Sequence, residues 1–139
     1  MRADRPAWPV DSFPDSNAFI ALMRGGPGLV EIFEAPSEVL LSVVVLGELT
    51  YGAMNSRSPD TNLAKLAQVA SACRLASADE QVAREYARVR LALKRKGRPI
   101  PENDIWTAAT AISMGGEVLT DDAHFREIEG LALRSLATR

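Results

Sequence analysis

Four acidic residues, Asp15, Glu48, Asp104 and Asp122, stand at the heads of apolar segments spread along the chain, in the phrases PDSNAFIAL, VLGELTYGA, PENDIWTAATA and LTDDAHF. A carboxylate that follows an apolar strand and opens a helix belongs at the carboxyl edge of a parallel sheet, where open α/β folds bind their ligands. Four such groups brought together without basic neighbours repel one another and need a cation. Hard divalent ions such as Mg2+ or Mn2+ take oxygen ligands of this kind. The pattern points to metal-dependent phosphoryl chemistry.

Composition narrows the alternatives. The 139 residues suffice for one domain with a real core. No apolar run approaches the roughly 18 residues of a membrane span, and the opening MRADRPAWPVDSFPDS has no signal-peptide character. Cys73 is the only cysteine and His124 the only histidine, which excludes an internal disulfide framework and a Cys/His zinc site. A cytoplasmic protein with no membrane attachment is expected. The net charge of −2 is neutral on nucleic acid, because acids gathered in one site leave the remaining surface more basic than the total suggests. Lys94, Arg95, Lys96 and Arg98 form the densest basic run. They suit either the C-terminal end of a helix or contact with RNA.

Along the chain, residues 1–9 read as an irregular lead-in and 10–139 as a single domain. A short strand is predicted at Val10 to Pro14, then a helix from Asn17 to Arg24 stopped by Gly25-Gly26-Pro27, and a small helix from about Gly28 to Glu34. Val39 to Leu41 reads as a buried strand, with Ser42 capping a helix from Val43 to Met54. Ser58-Pro59 opens the next helix, whose stripe is Leu63, Leu66, Ala70 and Cys73. Arg74 to Ala76 predicts a third strand, and Ser77 with Glu80 a capping box. Val82, Tyr86, Val89 and Leu93 then recur at helical spacing up to Gly97, with Tyr86 read as core packing. A helix begins at Asp104, capped by Glu102 or Asn103, and buries Ile105, Ala108, Ala109 and Ile112. Val118-Leu119 predicts a strand, His124-Phe125 a short helix, and Leu131 to Leu136 a last strand. Strands alternating with helices predict an α/β sandwich.

Four strings, in order, carry a family resemblance. Asp15-Ser16-Asn17, Glu48-Leu49-Thr50-Tyr51-Gly52-Ala53, the segment GRPIPENDIWTAATA from Gly97 to Ala111, and LTDDAHF from Leu119 to Phe125 resemble the motifs of PIN-domain ribonucleases, and among them VapC toxins of toxin–antitoxin pairs. The likeness runs from about Val10 to Leu136. It implies a three-layer α/β/α sandwich around a mostly parallel sheet. It implies a Mg2+ or Mn2+ site on Asp15, Glu48, Asp104 and Asp122, braced by hydrogen bonds from Asn17 and Thr120. Asp122 rather than Asp121 would face inward. The activity implied is hydrolysis of RNA, with tRNA as the expected substrate, to a 5′-phosphate and a 3′-hydroxyl. The partners implied are a second copy in a homodimer and a VapB-like antitoxin through which promoter DNA is bound.

Phosphodiester hydrolysis needs a hydroxide, charge neutralisation and a stabilised leaving oxygen, all of which metal ions supply without a histidine. His124 is accordingly expected to pack or cap locally. Two departures stand out: the first strand, VDSFP, is more polar than the family's apolar run, and Trp106-Thr107 replaces the frequent Ile-Ala, so Trp106 should face the surface or a partner. A phosphatase using Asp15 as nucleophile would want an acid where Asn17 stands and a lysine near the motifs. A binding module without catalysis is the other alternative, and the presence of all four acids argues against it.

Overall fold

The computed structural model describes residues 11–24 and 38–136. The lead-in at 1–9, the strand start at Val10 and the small helix expected around Gly28 to Glu34 lie outside these residues. The described elements alternate as β1 (Asp11–Pro14), α1 (Ser16–Met23), β2 (Glu38–Ser42), α2 (Val43–Met54), α3 (Pro59–Ala72), β3 (Arg74–Ala76), α4 (Glu80–Arg95), α5 (Glu102–Ser113), β4 (Glu117–Leu119), a 3-10 turn at Ala123–Glu127, and β5 (Ala132–Arg134). The sheet order is β3-β2-β1-β4-β5, and every pairing is parallel.

Side-chain alternation in the strands divides the interior in two. Val39, Leu41 and Leu119 turn toward one face, where Phe19 and Leu22 of α1, Val45 and Leu49 of α2, and Leu66 and Val69 of α3 cover them. Phe13, Leu40 and Val118 turn toward the other, against Val89 and Leu93 of α4 and Ile105, Ala108 and Ala111 of α5, with Phe125 and Ile128 closing the cluster. A period of two on strands clothed by helices on both sides is the signature of a three-layer α/β/α sandwich. The polar first strand survives because it is short and central. Phe13 is fully buried and Pro14 ends the strand, where its missing N–H interrupts no further ladder.

Several local expectations change. The first helix runs one residue earlier than predicted, because Asp15 caps it through a hydrogen bond from the Ala18 N–H at 2.8 Å. Helix α4 has no Ser77–Glu80 capping box: Asp79 sits at the cap and accepts from the Val82 N–H at 3.0 Å, while Glu80 pairs with Arg84 one turn on. Asp79 stands immediately before the first helical residue, and Ser77 lies two residues too early. Helix α5 begins after Pro101 with no side-chain cap. The last strand is shorter than Leu131 to Leu136. Tyr86 packs, as expected, against the interior cluster, but at its half-buried edge, ring to ring on Trp106 with centroids 4.0 Å apart and planes 12° from parallel. Trp106 therefore covers the α4–α5 seam, and Arg90 reaches the Tyr86 hydroxyl at 2.7 Å and Glu102 at 2.6 Å.

The turn from α5 into β4 is close-packed. A Cβ on Gly116 would stand 2.5 Å from the Asp11 carbonyl oxygen and 2.9 Å from Phe13 Cε2. Backbone cannot yield as a flexible side chain would, so Gly116→Ala should lower stability by about 1–3 kcal/mol, read as a lower urea midpoint at unchanged slope.

Candidate active site

The strand order turns back at β1: the chain builds β1, β2 and β3 outward on one side, then adds β4 on the other. The crevice beyond the carboxyl ends of strands at such a switch point is where open α/β sheets hold ligands. Asp15 follows β1 directly and caps α1. Asp122 follows β4 and caps the 3-10 turn, accepting from the His124 N–H at 2.9 Å. Asp104 lies in the first turn of α5. Glu48 lies within α2, beyond its first turn. All four line one depression of about 240 Å3, together with Ser16, Asn17, Pro101, Asn103 and His124.

Each carboxylate is held differently. Asp15 is buried: one oxygen takes the Ala18 N–H and the other the Thr120 hydroxyl. Thr120 in turn accepts from the Asp122 N–H at 2.9 Å, which ties the turns after β1 and β4 together. Glu48 is clamped at both oxygens, by Ser16 Oγ at 2.8 Å and by Asn103 Nδ2 at 2.7 Å. Asp121 turns away, accepting from Ser135 Oγ at 2.7 Å and the Leu136 N–H at 3.2 Å. Asn17 lines the depression but makes no hydrogen bond to these carboxylates among the described residues. Ser16 and Asn103 are the polar residues sequence reasoning missed. Ser16 sits inside a quoted motif, and Asn103 beside Asp104 was read as a cap.

His124 was expected to cap or pack locally. Its ring instead enters the acidic group, with Nδ1 3.3 Å from Asp104 Oδ2 and 3.2 Å from Asp122 Oδ1. Oxygens of Asp104 and Asp122 and a His124 ring nitrogen all lie within 4.8 Å of one another. Its position two residues after Asp122 in a 3-10 turn was the available signal.

Burial and mutual repulsion set the electrostatics of the depression. Burial lifts the Asp15 carboxyl above its usual value; bonds from Thr120 and Ala18 oppose this, and the charges of Asp122 and Asp121 reinforce it. Burial likewise raises Asp104, opposed by the His124 hydrogen bond and reinforced by Asp122 and Asp15. Oxygen donors with one imidazole, mutually repelling and partly desolvated, fit a hard divalent ion. Asp104, Asp122 and His124 offer converging atoms for it, and Asp15 and Glu48 line the same depression.

Comparison with known proteins identifies the fold. The family model described as "PIN domain" matches residues 12–131. The chain is 34% identical over 122 residues to the ribonuclease VapC5 of Mycobacterium tuberculosis, covering 85% of this chain and 87% of that protein. It is also 34% identical over 122 residues to the tRNA(fMet)-specific endonuclease VapC of Salmonella typhimurium, covering 86% of this chain and 92% of that one. The DNA-bound VapBC structure from Salmonella typhimurium contains a chain that superposes with a TM-score of 0.84 at 29% identity, over 91% of this chain and 98% of that one.

Proposed function

The chain belongs to the PIN-domain family, and from that premise we propose that it is a Mg2+- or Mn2+-dependent endoribonuclease, the toxin of a pair with a VapB-like antitoxin, with tRNA as its substrate. One observation carries the reading: Asp15, Glu48, Asp104 and Asp122, from four separate segments, line a single depression at the switch point of the sheet. Two relatives named as a ribonuclease and a tRNA-specific endonuclease support it.

A bound divalent ion supplies a hydroxide near neutral pH and neutralises charge on the phosphoryl oxygens. Asp104 and Asp122, with the His124 ring beside them, would hold it, and Asp15 would complete the negative field. Asp15 is fixed by the Ala18 N–H and Thr120 hydroxyl, so its orientation costs nothing at the moment of reaction. Glu48, held by one bond at each oxygen from Ser16 and Asn103, would accept a proton from the attacking water or bind a second ion.

The antitoxin's seat is the groove of about 560 Å3 between α1, α2 and α3, where Ile20, Met23, Leu49 and Leu66 form apolar wall and Glu48 joins it to the acidic depression. A partner laid there covers the site. The VapBC complexes among the structural relatives support such a pairing, and the active species is expected to be a homodimer.

The test is cleavage of a total tRNA pool by the purified chain with Mg2+ or Mn2+, mapped at both ends. Discrete cuts leaving 5′-phosphate and 3′-hydroxyl termini are expected, and EDTA should abolish them. Cutting that persists in EDTA would exclude the metal mechanism. Absence of both cutting and ion binding would leave a capture module without catalysis.

A further inference from the structure

Among the described residues, the acidic depression has no lysine or arginine in its lining. Most of the affinity of a protein for a nucleic acid comes from cationic side chains on phosphates, so RNA brought to this site must be gripped beside it. Two other depressions carry cations among their lining. The groove between α1, α2 and α3 carries Arg24 and Lys65 in a largely apolar wall, which suits a protein segment. The other, of about 300 Å3, lies between the last two turns of α4 and the end of the 3-10 turn. Val89, Leu93 and Ile128 line it, with Arg88, Arg95 and Lys96 as its cations.

Resting on the nuclease reading, we propose that this second depression and the basic segment from Lys94 to Arg98 hold the backbone phosphates of the RNA strand where it leaves the cleft. The 3-10 turn joins the two places. Asp122 and His124 stand at its start beside the carboxylates, and Glu127 at its end lines the basic depression. At about 2 Å per residue the separation is roughly 10 Å, within the span of the four or more nucleotides that a single-strand groove tracks.

The competing explanation is cations placed at a helix C-terminus against its dipole. It accounts for Lys94 and Arg95 in the last turn of α4, but not for Arg98, which lies beyond the helix and after Gly97. Other charges nearby are already engaged. Arg88 pairs with Glu85 at 2.7 Å, and Lys96 with Glu127 at 3.5 Å. Lys94, Arg95 and Arg98 are exposed and form no ion pair among the described residues. Glu129 is the remaining acid in the lining, so the segment keeps a surplus of positive charge. Arg126, exposed on the 3-10 turn between the two places, adds to it.

The test reads binding on a protein that cannot cut. Fluorescent tRNA is titrated with Asp104→Asn and with Asp104→Asn carrying Arg95→Ala and Arg98→Ala, at several salt concentrations. Loss of two phosphate contacts should weaken binding about tenfold or more at moderate salt. It should also reduce the slope of log affinity against log salt by about two. In the cutting-competent background the same pair of substitutions should raise KM and leave kcat unchanged. Both side chains are exposed, and an unaltered thermal melt will show that the fold is intact. Unchanged affinity and slope, with the wild type cutting RNA, would overturn the basic segment as the RNA grip and leave the nuclease reading standing. A wild type that neither cuts nor binds RNA would overturn both.

Discussion

Asp104→Asn should cut RNA cleavage by at least about a hundredfold, yet raise the melting temperature of the metal-free protein. Residues that merely support metal ligands cost ten- to a hundredfold when changed, and Asp104 converges directly with Asp122 and His124. The stability effect follows from the direction of its shift. Burial, with the charges of Asp122 and Asp15, raises the carboxyl in the folded state, outweighing the His124 bond. The folded protein then holds the proton more tightly than the unfolded chain does. The resulting penalty is absent well below the ordinary value near 3.8, grows as pH climbs through the raised folded value, and is complete above it. At neutral pH the neutral amide escapes that penalty. Saturating Mn2+ should invert the order: at a hundred times its Kd an ion stabilises the wild type by about 2.7 kcal/mol, and the variant gains much less. Melts with and without Mn2+, beside a cleavage assay, check both halves. A variant less stable than wild type without metal would show that the His124 contact outweighs the crowding.

That reversal reflects how much of the site could be read in advance. That the four acids come together was legible, and for Asp15 and Asp122 for the reason expected, since each follows a strand and caps the next turn. Glu48 lies inside α2 and Asp104 opens α5 after a helix, so the strand-to-helix rule does not account for them. Helix α2 was readable to its ends, since Ser42 caps it through the Val44 N–H at 3.1 Å and its apolar residues meet the sheet. What holds each acid was visible only for Thr120, expected from the family resemblance as a brace and bonded to Asp15 across 105 residues. Asn103 and Glu48 are 55 residues apart, and Ser16 and Glu48 32; such contacts are set by the approach of whole elements, not by local spacing. Asn103 resembled a helix cap because local rules count only local partners, whereas the brace expected of Asn17 came from the family resemblance. His124 was assigned to packing because metal-assisted hydrolysis needs no histidine, and chemistry that does not require a residue still leaves it free to be present. Strand ends suffered similarly: β5 stops at Arg134, whose side chain bonds to Glu117 on β4 at 2.6 Å, a partner 17 residues earlier.

Phe125→Ala should be the most destabilising single truncation near the site, costing about 3–5 kcal/mol. Phe125 is fully buried in the interior cluster formed with Phe13, Val89, Leu93, Ile105 and Val118, so alanine leaves a cavity whose walls belong to β1, β4, α4 and α5 and cannot all collapse into it. Domains of this size are stable by only about 5–15 kcal/mol, so the variant should fold but sit near its limit. The loss should also reach the chemistry. Phe125 is the buried anchor of the short turn that carries Asp122 and His124, and a 3-10 turn of five residues has little stability of its own. With the anchor gone, Asp122 loses its fixed place opposite Asp104, and Mn2+ should bind more weakly even where the protein is fully folded. Urea unfolding gives the first quantity and calorimetric Mn2+ titration at low temperature the second. Phe125→Leu, keeping most of the volume, should recover the larger part of both. A full stability loss with unchanged Mn2+ affinity would show that the bond Asp122 donates to Thr120 and those within the 3-10 turn hold Asp122 without help from the core.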